Sequence, residues 1–172
     1  MDRITLAKEI YKVAYLTGEF LLRSGRTSNE YFDKYQFESN PNLLAEIANQ
    51  MIAMIPEDID YLAPLEMGGI PIATAIALKT GIRLVFVRKK AKEYGTCKFA
   101  EGPDIKGKKL LIVEDVVTSG GQIIISANDL RSEGAIIEKS ICVIDREQGG
   151  QESLREHNID LLPLFTMTDL KK

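Results

Sequence analysis

The chain has 172 residues, 22 Lys and Arg against 25 Asp and Glu, a formal net charge of −3 and an apolar fraction of 45%. That length suits one domain with a real core. The slightly acidic balance gives no overall drive toward nucleic acid, whose footprint is a basic domain, so any anion site must be local. Cys97 and Cys142 stand too far apart for a Cys-x-x-Cys motif, and no apolar run approaches the ~20 residues that span a bilayer. These features predict a soluble, unprocessed protein of the reducing cytoplasm, with no membrane partner.

Residues 3–17 carry Ile4, Ala7, Ile10, Tyr11 and Ala14 at helical spacing and predict a helix that Gly18 stops. Two short extended pieces, residues 20–22 and 31–33, flank a polar stretch and predict a hairpin or a pair of loops. Asn40-Pro41 opens a helix to about residue 55, with Leu43, Leu44, Ile47 and Met51 on its buried face. From residue 59 the pattern becomes strand, loop and helix in turn. Strands are expected over 59–63, 83–87, 110–113, 140–144 and 161–165, and helices over 70–79, 121–132 and 151–157. Continuous apolar strands alternating with helices predict an α/β fold with a mostly parallel sheet covered on both faces. Ligands of such sheets sit at the carboxyl ends of the strands, which directs attention to the loops starting at 64, 88, 114 and 145.

The loop expected at 114 reads Glu114-Asp115-Val116-Val117-Thr118-Ser119-Gly120-Gly121-Gln122 and leads into a helix. A helix amino end exposes unpaired N–H groups with about half a positive charge, and glycines let a phosphate approach that backbone. Thr118, Ser119, Gly120, Gly121 and Gln122 therefore read as a phosphate cradle. The two acids would repel a phosphate but can accept hydrogen bonds from neighbouring hydroxyls, as on a ribose, so a sugar phosphate fits both halves. Neither Gly-x-x-x-x-Gly-Lys-Ser/Thr nor Gly-x-Gly-x-x-Gly occurs, which removes the main support for kinase and dehydrogenase readings. Residues 88–98 are basic, and residues 88–107 lack an apolar period and contain Gly95, Gly102 and Gly107, which predicts a long mobile loop. Arg and Lys on a closing lid would stabilise charge developing on a leaving group. Leu65-Glu66-Met67-Gly68-Gly69-Ile70-Pro71 is either a second phosphate nest or a tight turn before a core helix. His157, the single histidine, lies in a polar stretch and reads as surface; without a second base or soft ligands, neither a hydrolytic triad nor a zinc site is expected.

The run from Leu110 to Gly121 resembles the signature with which type I phosphoribosyltransferases bind phosphoribosyl pyrophosphate (PRPP), with Gln122 where that family usually has a small residue. Arg88-Lys89-x-Ala91-Lys92-x-Tyr94-Gly95 is similar to the lid of the orotate phosphoribosyltransferases, with Tyr94 in place of a His. Arg23-Ser24-Gly25-Arg26-Thr27-Ser28-Asn29-Glu30-Tyr31-Phe32 resembles their amino-terminal segment, with Arg23 for Lys and Asn29 for Pro. Asp145-Arg146-Glu147-Gln148-Gly149-Gly150 resembles their Asp-Arg-x-x-x-Gly segment. A Tyr hydroxyl can donate to a phosphate oxygen but does not become cationic near neutrality, and Arg presents a planar fork rather than a point charge.

The resemblance implies a single domain over 1–172, with an N-terminal hood in 1–40, a core in 59–165 and the lid in 88–107. It implies transfer of phosphoribosyl from PRPP to orotate, giving orotidine 5′-monophosphate and pyrophosphate in pyrimidine biosynthesis, with Mg2+ carried on the pyrophosphate rather than by protein ligands. The catalytic residues would be Glu114, Asp115 and Lys92. PRPP would be met by these and by Thr118, Ser119, Gly120, Gly121, Gln122, Arg88, Lys89, Tyr94, Met67 and Gly68, and orotate by Arg23, Tyr31, Phe32 and Arg146. A homodimer sharing its lid loops is implied as well. Two alternatives remain open: a phosphoribosyltransferase for another purine or pyrimidine base, and a PRPP sensor that binds without catalysis.

Overall fold

The computed structural model describes residues 1–21, 25–95 and 98–172; Arg23 and Cys97 lie outside them. The chain begins with helix α1 (Arg3–Ala14), whose first turn is capped when Asp2 accepts from the Thr5 N–H. It is shorter than the apolar spacing predicts. Residues 15–17 leave it to pair in an antiparallel ribbon, β1 (Tyr15–Leu21) with β2 (Thr27–Phe32), and the register shifts between Thr17 and Phe20, around Gly18. A four-residue helix, α2 (Tyr35–Glu38), then precedes α3 (Pro41–Ile52), where Asn40 caps the amino end and Pro41 takes the first turn.

The remainder is strand and helix in turn: β3 (Tyr61–Pro64), α4 (Gly69–Thr80), β4 (Arg83–Leu84), β5 (Phe86–Val87), β6 (Ala100–Glu101), β7 (Lys109–Val117), α5 (Gly121–Ser132), β8 (Ile136–Asp145), α6 (Gly150–Glu156), β9 (Asp160–Thr166) and α7 (Met167–Leu170). Five strands form one parallel sheet in the order β4-β3-β7-β8-β9. Successive side chains of a strand point to opposite faces, and β7 divides its apolar residues accordingly. Leu111 and Val113 join the core beneath α1, α3 and α4 with Leu62, Ile72, Ile76 and Phe165; Leu110 and Ile112 join the core beneath α5 with Ile123, Leu130 and Leu154. Each face buries an apolar layer, which explains why the strands read as continuous apolar runs.

Three departures from the sequence expectations bear on the site. The single strand expected over 83–87 is two: β4 joins the main sheet, while β5 leaves it to pair antiparallel with β6. The segment 88–107 therefore contains a strand rather than being loop throughout. Finally, β7 continues through Val117, in register with Asp145 of β8, so Glu114 and Asp115 belong to a strand and not to the loop after it. Among the described residues no helix is long and apolar enough to cross a membrane.

Candidate active site

At the carboxyl end of β7 the chain passes through Thr118 and Ser119 to Gly120, which caps α5 at φ 78°, a left-handed conformation in which a side chain is strained. A Cβ on Gly120 would also come within 2.9 Å of Leu154 Cγ in α6, so the turn is pressed against the helix behind it. Glu114 and residues 116–123 surround a cavity of about 90 Å³. Its floor is the amino end of α5, where backbone N–H groups await an acceptor. The Gln122 side chain turns along the helix and donates to Ser126 Oγ at 3.2 Å, leaving its backbone at the cradle.

The strand placement of the two acids separates them. Glu114 shares the face of Leu110 and Ile112 and lines the cradle, whereas Asp115 shares the face of Leu111 and Val113 and is only 1% exposed. Asp115 Oδ2 accepts from Lys34 Nζ in a short ion pair, and its Oδ1 accepts from the Val116 N–H. Glu38 of α2, also buried, completes this group. Burial, then the hydrogen bond and charge of Asp115, push the Glu38 carboxyl up to about 8. Burial also works against ionisation of Asp115, but the hydrogen bond and charge of Lys34 and the hydrogen bond from Glu38 outweigh it and hold Asp115 below the usual carboxylate range. Glu114 is raised well above it, by burial first and the charge of Asp115 second.

The second glycine loop lies against this group. A Cβ on Gly68 would overlap Asp115 Oδ2, so only glycine lets the loop pass over the carboxylate. Met67 is exposed beside it. Glu66 ties the loop to the basic segment: its N–H donates to the Val87 carbonyl at 3.0 Å, and its Oε1 accepts from the Lys89 N–H at 2.5 Å. From there Arg88, Lys89, Lys92 and Tyr94 line a cavity of about 390 Å³ whose other wall is Glu66. The segment folds back on itself through the Arg88 N–H to Phe99 carbonyl bond at 3.0 Å and the Lys92 ion pair with Glu101 at 2.6 Å. Tyr94 is 76% exposed.

Tyr31 and Phe32 of β2 and Arg146, which follows β8, meet around a third cavity of about 320 Å³, together with Tyr15, Gln148 and Lys171. Tyr31 stacks on Phe20 with ring centroids 5.5 Å apart. The Arg146 N–H donates to the Val117 carbonyl at 2.9 Å, so this cavity and the cradle share the end of β7. Arg23 lies outside the described residues. Sequence reasoning did not single out Lys34, Glu38 or Lys171, or the Glu66 carboxylate that holds the Lys89 N–H.

A parallel sheet with an anion cradle at the end of its middle strand, an acid at the cradle's rim and a basic hairpin one strand away describes a protein that handles a phosphorylated sugar. The chain belongs to the phosphoribosyltransferase family: the phosphoribosyl transferase domain matches residues 34–159. Within that family the chain is similar to orotate phosphoribosyltransferases. One from a Nocardioides species is 46% identical over 166 residues, covering 96% of this chain and 93% of the relative. The Mycobacterium tuberculosis orotate phosphoribosyltransferase, solved with Fe(III) dicitrate, superimposes with a TM-score of 0.89 at 27% identity over the whole of both chains. A crystal structure of the same enzyme with PRPP superimposes with a TM-score of 0.83 at 24% identity, again over both whole chains.

Proposed function

We propose that this protein is an orotate phosphoribosyltransferase, forming orotidine 5′-monophosphate and pyrophosphate from PRPP and orotate. The observation that carries this reading is the shared end of β7, where the phosphate cradle adjoins a cavity holding three aromatic rings, Arg146 and Lys171. A planar carboxylated ring suits that cavity: the rings of Tyr31 and Phe32 offer faces, and the Arg146 fork matches a carboxylate bidentately.

In this reading residues 118–122 hold the 5′-phosphate of the donor through backbone N–H groups and hydroxyls. Glu114 accepts from a ribose hydroxyl at the cradle's rim, and Asp115 supports the sugar side from behind the Gly68 loop. A ring nitrogen of orotate forms its bond to the ribose C1 as the bond from C1 to pyrophosphate breaks, and the nitrogen's proton leaves to solvent. Arg88, Lys89 and Lys92, with the Tyr94 hydroxyl, stabilise the charge that builds on the departing diphosphate. Met67 and Gly68 present backbone to the same group. No protein nucleophile is needed. The cradle offers N–H and hydroxyl donors, which are ligands for anions, so Mg2+ fits as a companion of the donor's diphosphate oxygens, whose charge it would offset. The working form is a cytoplasmic homodimer in which each lid reaches toward the partner's site. Turnover assays of the purified protein with PRPP and orotate, uracil, hypoxanthine or adenine test the reading. Pyrophosphate release with orotate alone supports it, and release with another base but not orotate overturns it.

A further inference from the structure

Two carboxylates, Asp115 and Glu38, and one ammonium, Lys34, meet beneath the Gly68 loop, and the site chemistry outlined so far uses only part of that group. Lys34 stands just before α2, 81 residues from Asp115 in sequence, and its Nζ reaches Asp115 Oδ2. Asp115 in turn fills the space over which Gly68 passes. Glu38, one helical turn after Lys34, is 6% exposed and its Oε1 has no hydrogen-bond partner. We propose that Lys34 is a positioning residue for the phosphoribosyl donor: through its ion pair with Asp115 it fixes the sugar-side acid against the Gly68 loop, and so sets the distance between the sugar grip and the diphosphate grip.

The argument rests on burial and charge. An ionised carboxylate that is 1% exposed persists only when paired, and removing its partner leaves an uncompensated charge that must protonate or move. Either response displaces the carboxylate on which Gly68 rests. The loop over 66–69 is anchored at its other end by Glu66 to the base of the lid, so a shift there reaches both ends of the donor. Glu38 contributes a proton. The groups that face it are Asp115 from β7 and Asp33 and Lys34 from the turn into α2, while α1 and α3, which pack on α2, bring Leu6, Ile10 and Ile47 to that core. One cation cannot offset two ionised acids in a dry pocket, so Glu38 keeps its proton near neutrality and donates it to Asp115.

This inference rests on the chain being a phosphoribosyltransferase, and its test separates the two. Calorimetric titration with PRPP and steady-state kinetics are run on the full chain and on Lys34→Met, Lys34→Arg and Glu38→Gln. Lys34→Met is expected to weaken PRPP binding at least about tenfold and to raise the donor KM by more than it lowers kcat, with Lys34→Arg recovering most of the loss because it restores the ion pair. Wild-type affinity for PRPP is expected to fall from pH 7 to 9 as Glu38 ionises beside Asp115, and Glu38→Gln should hold its pH 7 value across that range. If Lys34→Met does not fold, the Lys34→Arg kinetics and the Glu38→Gln pH profile decide. PRPP affinity unaltered in Lys34→Met, or a pH profile of Glu38→Gln identical to wild type, would overturn the proposal. Failure of the wild type to bind PRPP at all would instead overturn the assignment of function.

Discussion

The cradle and the basic hairpin both carry glycines and both offer donors suited to an anion, yet they are built in opposite ways. The cradle turn is held from behind by α6, from below by the amino end of α5 and at its entrance by a nine-residue strand. The described part of the basic segment is tied down by main-chain bonds, by the Lys89 N–H bond to Glu66 and by the partly exposed ion pair of Lys92 with Glu101, and it leaves Tyr94 exposed. A partly exposed pair of this kind is worth about 1 kcal/mol or less, so little would be lost if the lysine turned to a diphosphate as proposed. A fixed anchor and a freely redirected set of cations are what a reaction needs when one end of its donor must stay and the other must leave.

Substitutions sharpen that contrast. Lys92→Ala should lower kcat on the order of 10²–10³-fold, as loss of a transition-state cation does, while shifting thermal stability by less than about 1 kcal/mol. Calorimetry beside turnover checks both halves, and a large stability loss would erase the distinction. Gly120→Val should cost roughly 2–5 kcal/mol of stability through the left-handed backbone and the collision with Leu154, and on the order of 100-fold in turnover, visible together in denaturant titration and kinetics. Here stability and activity should fall together. Arg146→Lys should raise the orotate KM about tenfold with the PRPP KM little altered, because a point charge replaces a planar fork. The smallest effect concerns pH. Glu38 is raised from 4.5 to about 8, so its contribution to stability is full below pH 4.5 and is lost as pH rises through 8. The wild-type melting temperature should decline across that window, and Glu38→Gln should flatten the decline.

The cradle was legible because its elements are local: an apolar run, two acids, hydroxyls and glycines within a dozen residues. The cavity around Tyr31, Phe32 and Arg146 was partly legible, since each of the three sits beside a recognisable turn, although nothing local in the chain pointed to Lys171 joining them. The length of β7 was not. Glu114 and Asp115 interrupt an apolar run and so read as the start of a loop, but pairing with β8 carries the strand past them, and strand alternation then sends the two carboxylates to opposite faces. The separation of β4 from β5 is not legible because residues 84–87 form one apolar run whichever sheet each half joins. Lys34 and Glu38 belong to a four-residue helix too short for any periodicity, and their partner is 81 residues from Lys34, so only the folded chain joins them.

The overlap that any side chain at position 68 would make with Asp115 restricts how this enzyme can be altered. A designer wishing to retune the leaving-group loop for a bulkier or less charged donor cannot begin at that position, because every larger residue evicts the acid behind it. Change there would have to come in pairs, with position 115 shortened first, or be moved to the exposed Met67 next door.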